Sequence, residues 1–321
     1  MPRARPAASS ATHWSSPRRS TSCSAASGCC PRRFQFESRR SGLSRGFGAH
    51  VEDVVLLSIT AAGVMLFIAP LLLGARFPQA VLLFSALIAV SALVALAVAV
   101  QTHRLSTRLL AILAALVAVD AVMRLVIVIG LLGFSPIFFL IIAGGFAMGP
   151  SFGFASGALT LLLSAVLTAG LGPWLPYQML AAGWVGMGAG YIGRLTGRST
   201  SRLAIGVLAV YGGAAGFAYG IVLDLWEWPL VLNPAASTLS WAPGLGVAAL
   251  ARRFAGFYLA TSLVYDTFRA AGNLLLMAAL GTPVVVALTR FRRRFLVDWS
   301  IREPAVESTA VKISTDVGSP A

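Results

Sequence analysis

The chain has 321 residues, 57% of them hydrophobic and only 11% charged, with a mean hydropathy of +0.82. A soluble domain of this size does not have that composition, so an all-α polytopic membrane protein is expected. The net charge of +14 does not argue for nucleic acid: +8 of it lies in the first fifty residues, and no folded basic domain is visible.

Residues 1–50 are rich in Arg, Ser, Ala and Pro and lack hydrophobic periodicity, so they read as a disordered basic tail. No apolar stretch follows the early arginines, which argues against a secretory signal. Two readings of the tail stay open: a leaflet-binding basic arm, or an over-long start with the protein beginning near Val51. Cys23, Cys29 and Cys30 all lie in this tail, and adjacent cysteines are not a zinc spacing.

A membrane-crossing helix needs roughly 20 apolar residues. Such runs fall at Val54–Gly74, Ala80–Val100 and Leu109–Leu131. Ile137–Met148 and Phe152–Ala169 follow, separated by Gly149-Pro150. Then come Gln178–Gly193, Leu203–Leu223 and a last segment ending near Leu288. About eight spans result. Basic clusters at Arg39/Arg40/Arg45, His103/Arg104/Arg108, Arg194/Arg198/Arg202 and Arg290–Arg294 then share one side, taken as cytoplasmic with both termini. Arg252-Arg253 is the basic pair on the other side, where it would start a surface helix or bind an anionic group.

The spacing divides the chain into the tail, two N-terminal helices over 51–105, a six-helix core over 106–295 and a cytoplasmic tail over 296–321. Small residues recur at i, i+4 in the third run: Ala111 with Ala115 and Ala114 with Ala118. Such pairs permit close helix contact. The sixth run offers Gly183, Gly186 and Gly190 for the same purpose.

Polar residues within spans are costly and mark function by default. Asp120 and Arg124 stand at i, i+4 in the third run, either as a structural ion pair or with Arg124 facing a substrate. The turn 170–178 breaks the helix with glycines and prolines and presents Trp174, Tyr177 and Gln178. Broken helices at membrane depth are tolerated only where protein packs on them or a cavity opens. Asp224 alternates with Trp226, Glu227 and Trp228 at the end of the seventh run. Asp266, Arg269 and Asn273 stack on one face of the last. All these groups fall on the outer side, and an aromatic-lined pocket with a few polar anchors suits a small ring-bearing ligand. Tryptophan at a membrane interface is also an ordinary belt residue.

Catalytic signatures are absent. There is no P-loop, HExxH, GxSG motif or carboxylate cluster for a metal-bound diphosphate, and the only lysine is Lys312. No cofactor is expected and the chain is not expected to be an enzyme.

Four stretches carry a resemblance. They are GPSFGFASGALTLLLSAVLTAGLGPWLPYQMLAAGWVGMGAG over 149–190, VDAVMRL around Asp120, YGxxxGxxYG with DLWxWP over 211–229, and FYLATSLVYDTFRAAGN over 257–273. Over about residues 109–292 the chain resembles actinobacterial substrate-specific S components of energy-coupling factor (ECF) vitamin transporters. The resemblance implies a binding subunit that captures a vitamin on the outer face. It implies a membrane T component and two cytoplasmic ATPases as partners, with Ala111/Ala115 or Ala114/Ala118 as the T-component contact. A structural or assembly membrane protein, or a membrane enzyme on lipid-linked substrates, stands as the alternative.

Overall fold

The computed structural model describes residues 53–71, 78–102, 107–127, 137–230 and 238–297. The basic segment 1–50 with its cysteines, His103, and the tail beyond residue 297 lie outside the described residues. Within them the chain is all-helical, with no strand. The helices are α1 (Asp53–Leu71), α2 (Pro78–Thr102), α3 (Thr107–Ile127), α4 (Ile137–Met148), α5 (Pro150–Leu167), α6 (Leu175–Leu195), α7 (Arg202–Leu230), α8 (Val247–Thr261) and α9 (Leu263–Val297). Among the described residues, four stretches are long and apolar enough to cross a membrane: Asp53–Leu71, Pro150–Leu167, Arg202–Pro229 and Leu263–Arg294.

Glycines set the centre of the bundle. A β-carbon on Gly153 would overlap the Gly186 carbonyl, and one on Gly186 would overlap the Gly153 carbonyl. Gly157 meets Ala182 in the same way, and Gly190 meets Pro150. The backbones of α5 and α6 therefore touch along their length, which only residues without side chains allow. Residues 138–158 of α4 and α5 are buried without interruption. A helix apolar and buried all round belongs to the interior of a bundle.

Between α5 and α6 the chain turns through a Schellman motif. The Gly170 N–H donates to the Ala165 carbonyl at 2.8 Å, and Ala169 takes the left-handed φ of 52° between them. Pro176 then lies in the first turn of α6, where its missing N–H costs nothing.

Two boundaries differ from the hydropathy reading. Helix α7 continues past Leu223 to Leu230, so Asp224, Trp226, Glu227 and Trp228 are helical residues. Asp224, Trp226 and Trp228 are all buried, and that packing carries the helix to Pro229. Separately, a helical turn ends at Ser262, dividing the final stretch into α8 and α9. Helix α8 holds Arg252 and Arg253 and buries only Phe257 fully.

Helix α1 runs antiparallel to α6. Asp53 accepts from Arg194 at 2.5 Å and from the Tyr191 hydroxyl at 3.2 Å. Further along, Gly63 meets Leu180 and Trp184, and the Phe67 ring stands edge-on to Tyr177.

Candidate functional site

Two features occupy the end of the bundle that holds the α6 N-terminus, and a third lies along the middle of α6 and α7. The first is aromatic. Tyr177 of α6 and Trp226 of α7 are stacked, their centroids 4.0 Å apart and planes 7° apart. Phe67 packs against Tyr177 at 5.0 Å and against Trp184 at 5.4 Å. Neither the Tyr177 hydroxyl nor Trp226 Nε1 has a hydrogen-bond partner, although Ser85 Oγ faces the hydroxyl.

The second is polar and joins α7, α8 and α9. Asp266 pairs with Arg269, one turn along the same helix, and accepts from the Tyr258 hydroxyl at 3.0 Å. Gly220 of α7 makes this possible, because a β-carbon there would overlap the carboxylate. Arg269 also donates to the Gly216 carbonyl at 3.4 Å and lies 5.1 Å above the Tyr219 ring, a cation–π distance. Asp224 is buried, has one carboxylate oxygen without a partner, and stands within electrostatic reach of Asp266 and Arg269. Arg124 of α3, half-buried, also acts electrostatically on Tyr219. Tyr258, on α8 and outside the candidate spans, has its phenol pushed up by burial first and then by the carboxylate it serves. Deeper in α9, Asn273 donates to the Gly212 carbonyl at 3.2 Å and leaves its own oxygen unpartnered.

The third feature is a cavity of about 250 Å³ between α6 and α7. Its α7 wall is one helical face, Tyr211, Ala214, Ala215, Ala218, Tyr219 and Val222, spaced at i, i+3, i+4, i+7, i+8 and i+11. Ala181, Trp184 and Val185 supply the α6 wall. The small residues of α7 face the large Trp184 of α6, so the two helices do not close on each other. Tyr211 is held by donating to the Val185 carbonyl at 2.7 Å, whereas Trp184 Nε1 has no partner. Tyr219 belongs both to this cavity and to the polar cluster.

Of the residues singled out by sequence, Arg124, Asp266 and Arg269 act on Tyr219, Asp224 stands within reach of Asp266 and Arg269, and Tyr177 and Trp226 join each other. Trp174 lies apart: it is 41% exposed and donates to the Gly170 carbonyl at 3.2 Å. Gln178, half-buried, sits one turn beyond it, its backbone N–H donating to the Trp174 carbonyl at 3.1 Å. Trp228 packs in a separate cluster with Trp241 and Phe257 and donates to the Leu239 carbonyl at 3.0 Å. Asp120 is buried towards Thr160 and forms no ion pair with Arg124. Ala111, Ala114, Ala115 and Ala118 are all exposed, on the face of α3 opposite its buried Leu113, Val117 and Ala121. Sequence reasoning passed over Trp184 and Tyr258, and gave Tyr211 and Tyr219 no role in a pocket. The stripe of Tyr, Ala and Val along α7 was the available signal.

Among the described residues, no group of three or more His, Cys, Asp or Glu side chains converges as a metal site. No family model, curated sequence or solved structure matches the chain.

Proposed function

We propose that this chain is the substrate-binding membrane subunit of an ECF-type importer in the cell membrane. It has eight spans, with both termini cytoplasmic and a six-helix core preceded by two helices. It takes a vitamin-like compound on the outer side and passes it to a membrane T component driven by two cytoplasmic ATPases. It acts by binding, without catalysing a reaction.

The observation that carries this reading is Tyr219, which lines the α6–α7 cavity and is also acted on by Arg124, Asp266 and Arg269, with Asp224 in reach of the last two. An apolar slot bordered by ionisable groups matches a small ring-bearing ligand with one charged group. The cavity volume falls just below the usual range for drug-sized ligands, roughly 300–1,000 Å³, and suits a compact one. The exposed alanines of α3 support a helix-docking face.

A structural role is the second reading, favoured by the complete burial of Trp226 and Trp228 in packed clusters. Purified full-length chain, titrated with a panel of vitamins by native mass spectrometry and tryptophan fluorescence, decides between them. The importer reading expects one compound to bind below about 1 μM and Arg124→Ala to fold normally while losing that binding. If no compound in the panel binds, the structural reading prevails.

A further inference from the structure

Two aromatic walls of the α6–α7 cavity are held in different ways. Tyr211 is fixed by its own hydrogen bond to the Val185 carbonyl at 2.7 Å. Trp184 has no such bond: its Nε1 has no partner, so packing alone orients the indole.

That packing comes from α1, which precedes the six-helix core. The buried side of α1 is Leu56, Gly63, Phe67 and Pro70, spaced at i, i+7, i+11 and i+14 on one helical face, while Val54, Leu57, Val64 and Met65 are exposed. Two of the buried four meet Trp184. A β-carbon on Gly63 would stand 2.8 Å from the indole Cζ2 and 2.6 Å from Leu180 Cδ2. The Phe67 ring lies 5.4 Å from the Trp184 ring, and it is itself fixed edge-on to Tyr177 at 5.0 Å. The ion pair of Asp53 with Arg194 sets the register, since the same length of helix separates Asp53 from Gly63 and Trp184 from Arg194.

Gly63 leaves room for the indole, and Phe67 limits that room. A methyl group at position 63 would have to displace one of its two neighbours. Leu180 is wholly enclosed, whereas Trp184 is half-buried and borders the cavity, so the indole is the group that can give way, and the cavity is the space it borders.

We propose that α1 is part of the ligand site. Gly63 and Phe67 are positioning residues that hold Trp184 at the cavity wall and thereby set the size of the ring compound admitted. The role in ligand selection rests on the cavity being the ligand site. On this account α1 is a specificity element of the site, not an accessory to the core.

Two measurements on full-length chain in detergent test the proposal. The first needs no ligand. Ala215→Leu fills the cavity from its α7 wall, and Gly63→Ala presses Trp184 towards the same space. The thermal midpoint of Gly63→Ala/Ala215→Leu should fall several degrees below the sum of the two single effects, and Trp184→Leu should restore additivity. Alanine by itself favours a helix over glycine, so a lower midpoint in Gly63→Ala reports the contact with α6. The second measurement is ligand size, read by native mass spectrometry with single-ringed nicotinamide, bicyclic biotin and tricyclic riboflavin. Gly63→Ala should weaken the best-bound compound about tenfold or more, as a methylene-sized change in an apolar pocket does. Phe67→Ala should shift the preference towards a larger ring system, and Met65→Ala, on the exposed side of α1, should do neither.

Additive midpoints overturn the proposal. So does binding to the wild-type chain that Gly63→Ala and Phe67→Ala both leave unchanged, and in that case the importer reading still stands. Coupled midpoints with none of the ring compounds bound by the wild-type chain overturn the role in ligand selection and count against the importer reading itself. Should Gly63→Ala fail to fold, Phe67→Ala decides alone: with the indole released towards α1, Ala215→Leu should be better tolerated than in the wild-type chain, and equal tolerance overturns the proposal.

Discussion

Tyr177 and Trp226 stack ring on ring across the α6–α7 boundary, both almost wholly buried, each with a polar atom that finds no partner. The stack and the unpaired atoms pull in opposite directions. Offset stacking adds about 0.5–1.5 kcal/mol beyond area burial, while each unsatisfied buried polar atom costs about 1–3 kcal/mol. Tyr177→Phe keeps the ring and removes the hydroxyl, so it should leave thermal stability unchanged or raised. Trp226→Ala removes the ring and should cost about 3–5 kcal/mol. Denaturation of the two variants in detergent checks the pair. A large loss in Tyr177→Phe would mean that the hydroxyl does have a partner, with Ser85 the nearest group to supply it.

Asp266 is the most entangled charge in the structure, with Arg269, Tyr258 and the bare face of Gly220 around it. Removing the cation strands a carboxylate that is 1% exposed. Arg269→Gln should therefore cost about 3–5 kcal/mol, and Asp266→Asn/Arg269→Gln less than the sum of its singles. Tyr258→Phe deletes one bond to a charged acceptor and should cost about 1.5–3 kcal/mol. A double-mutant cycle measures the coupling, and a coupling of zero would remove the pair from the account.

Most of the helices were legible because they are long, predominantly apolar runs, and α1 to α6 begin and end near the predicted limits. The extension of α7 was not. Asp224, Glu227 and Pro229 look like a loop in one dimension, and only burial of Trp226 and Trp228 keeps the segment helical. The Asp120–Arg124 spacing allowed an ion pair, but Asp120 turns towards Thr160 of α5 while Arg124 serves Tyr219. The polar members of the cluster joining α7, α8 and α9 were legible as costly residues in apolar runs. The cavity was not, since it depends on alanines of α7 facing Trp184, a relation between helices that no single run reveals.

The contact of α5 and α6 gives the sharpest steric prediction. At the Gly153–Gly186 crossing a β-carbon on either residue would run into backbone, which has no flexible end to move aside. Gly153→Ala and Gly186→Ala should each cost about 1–3 kcal/mol or abolish folding. Gly206→Ala, with nothing within 4 Å of the added carbon on α7, is the control and should be neutral or stabilising. Equal behaviour of all three in a thermal assay would contradict the close packing.

The exposed alanines of α3 separate folding from assembly. Ala111, Ala114, Ala115 and Ala118 are exposed, on the face of α3 opposite its buried residues, so a bulky side chain there is expected to be tolerated. Ala114→Trp and Ala115→Trp should each change the stability of the isolated chain by no more than about 0.5 kcal/mol. If a T-component helix packs on this face, the same substitutions should block recovery of the complex and abolish uptake, because close helix contact depends on small residues. Co-purification with co-expressed candidate T components, read beside the melting temperature of the isolated chain, supplies both measurements. Because the two alanine pairs overlap in register, the position with the larger effect identifies the pair in contact. Full assembly in both tryptophan variants would move the docking face elsewhere on the bundle and remove the support that α3 lends to the importer reading.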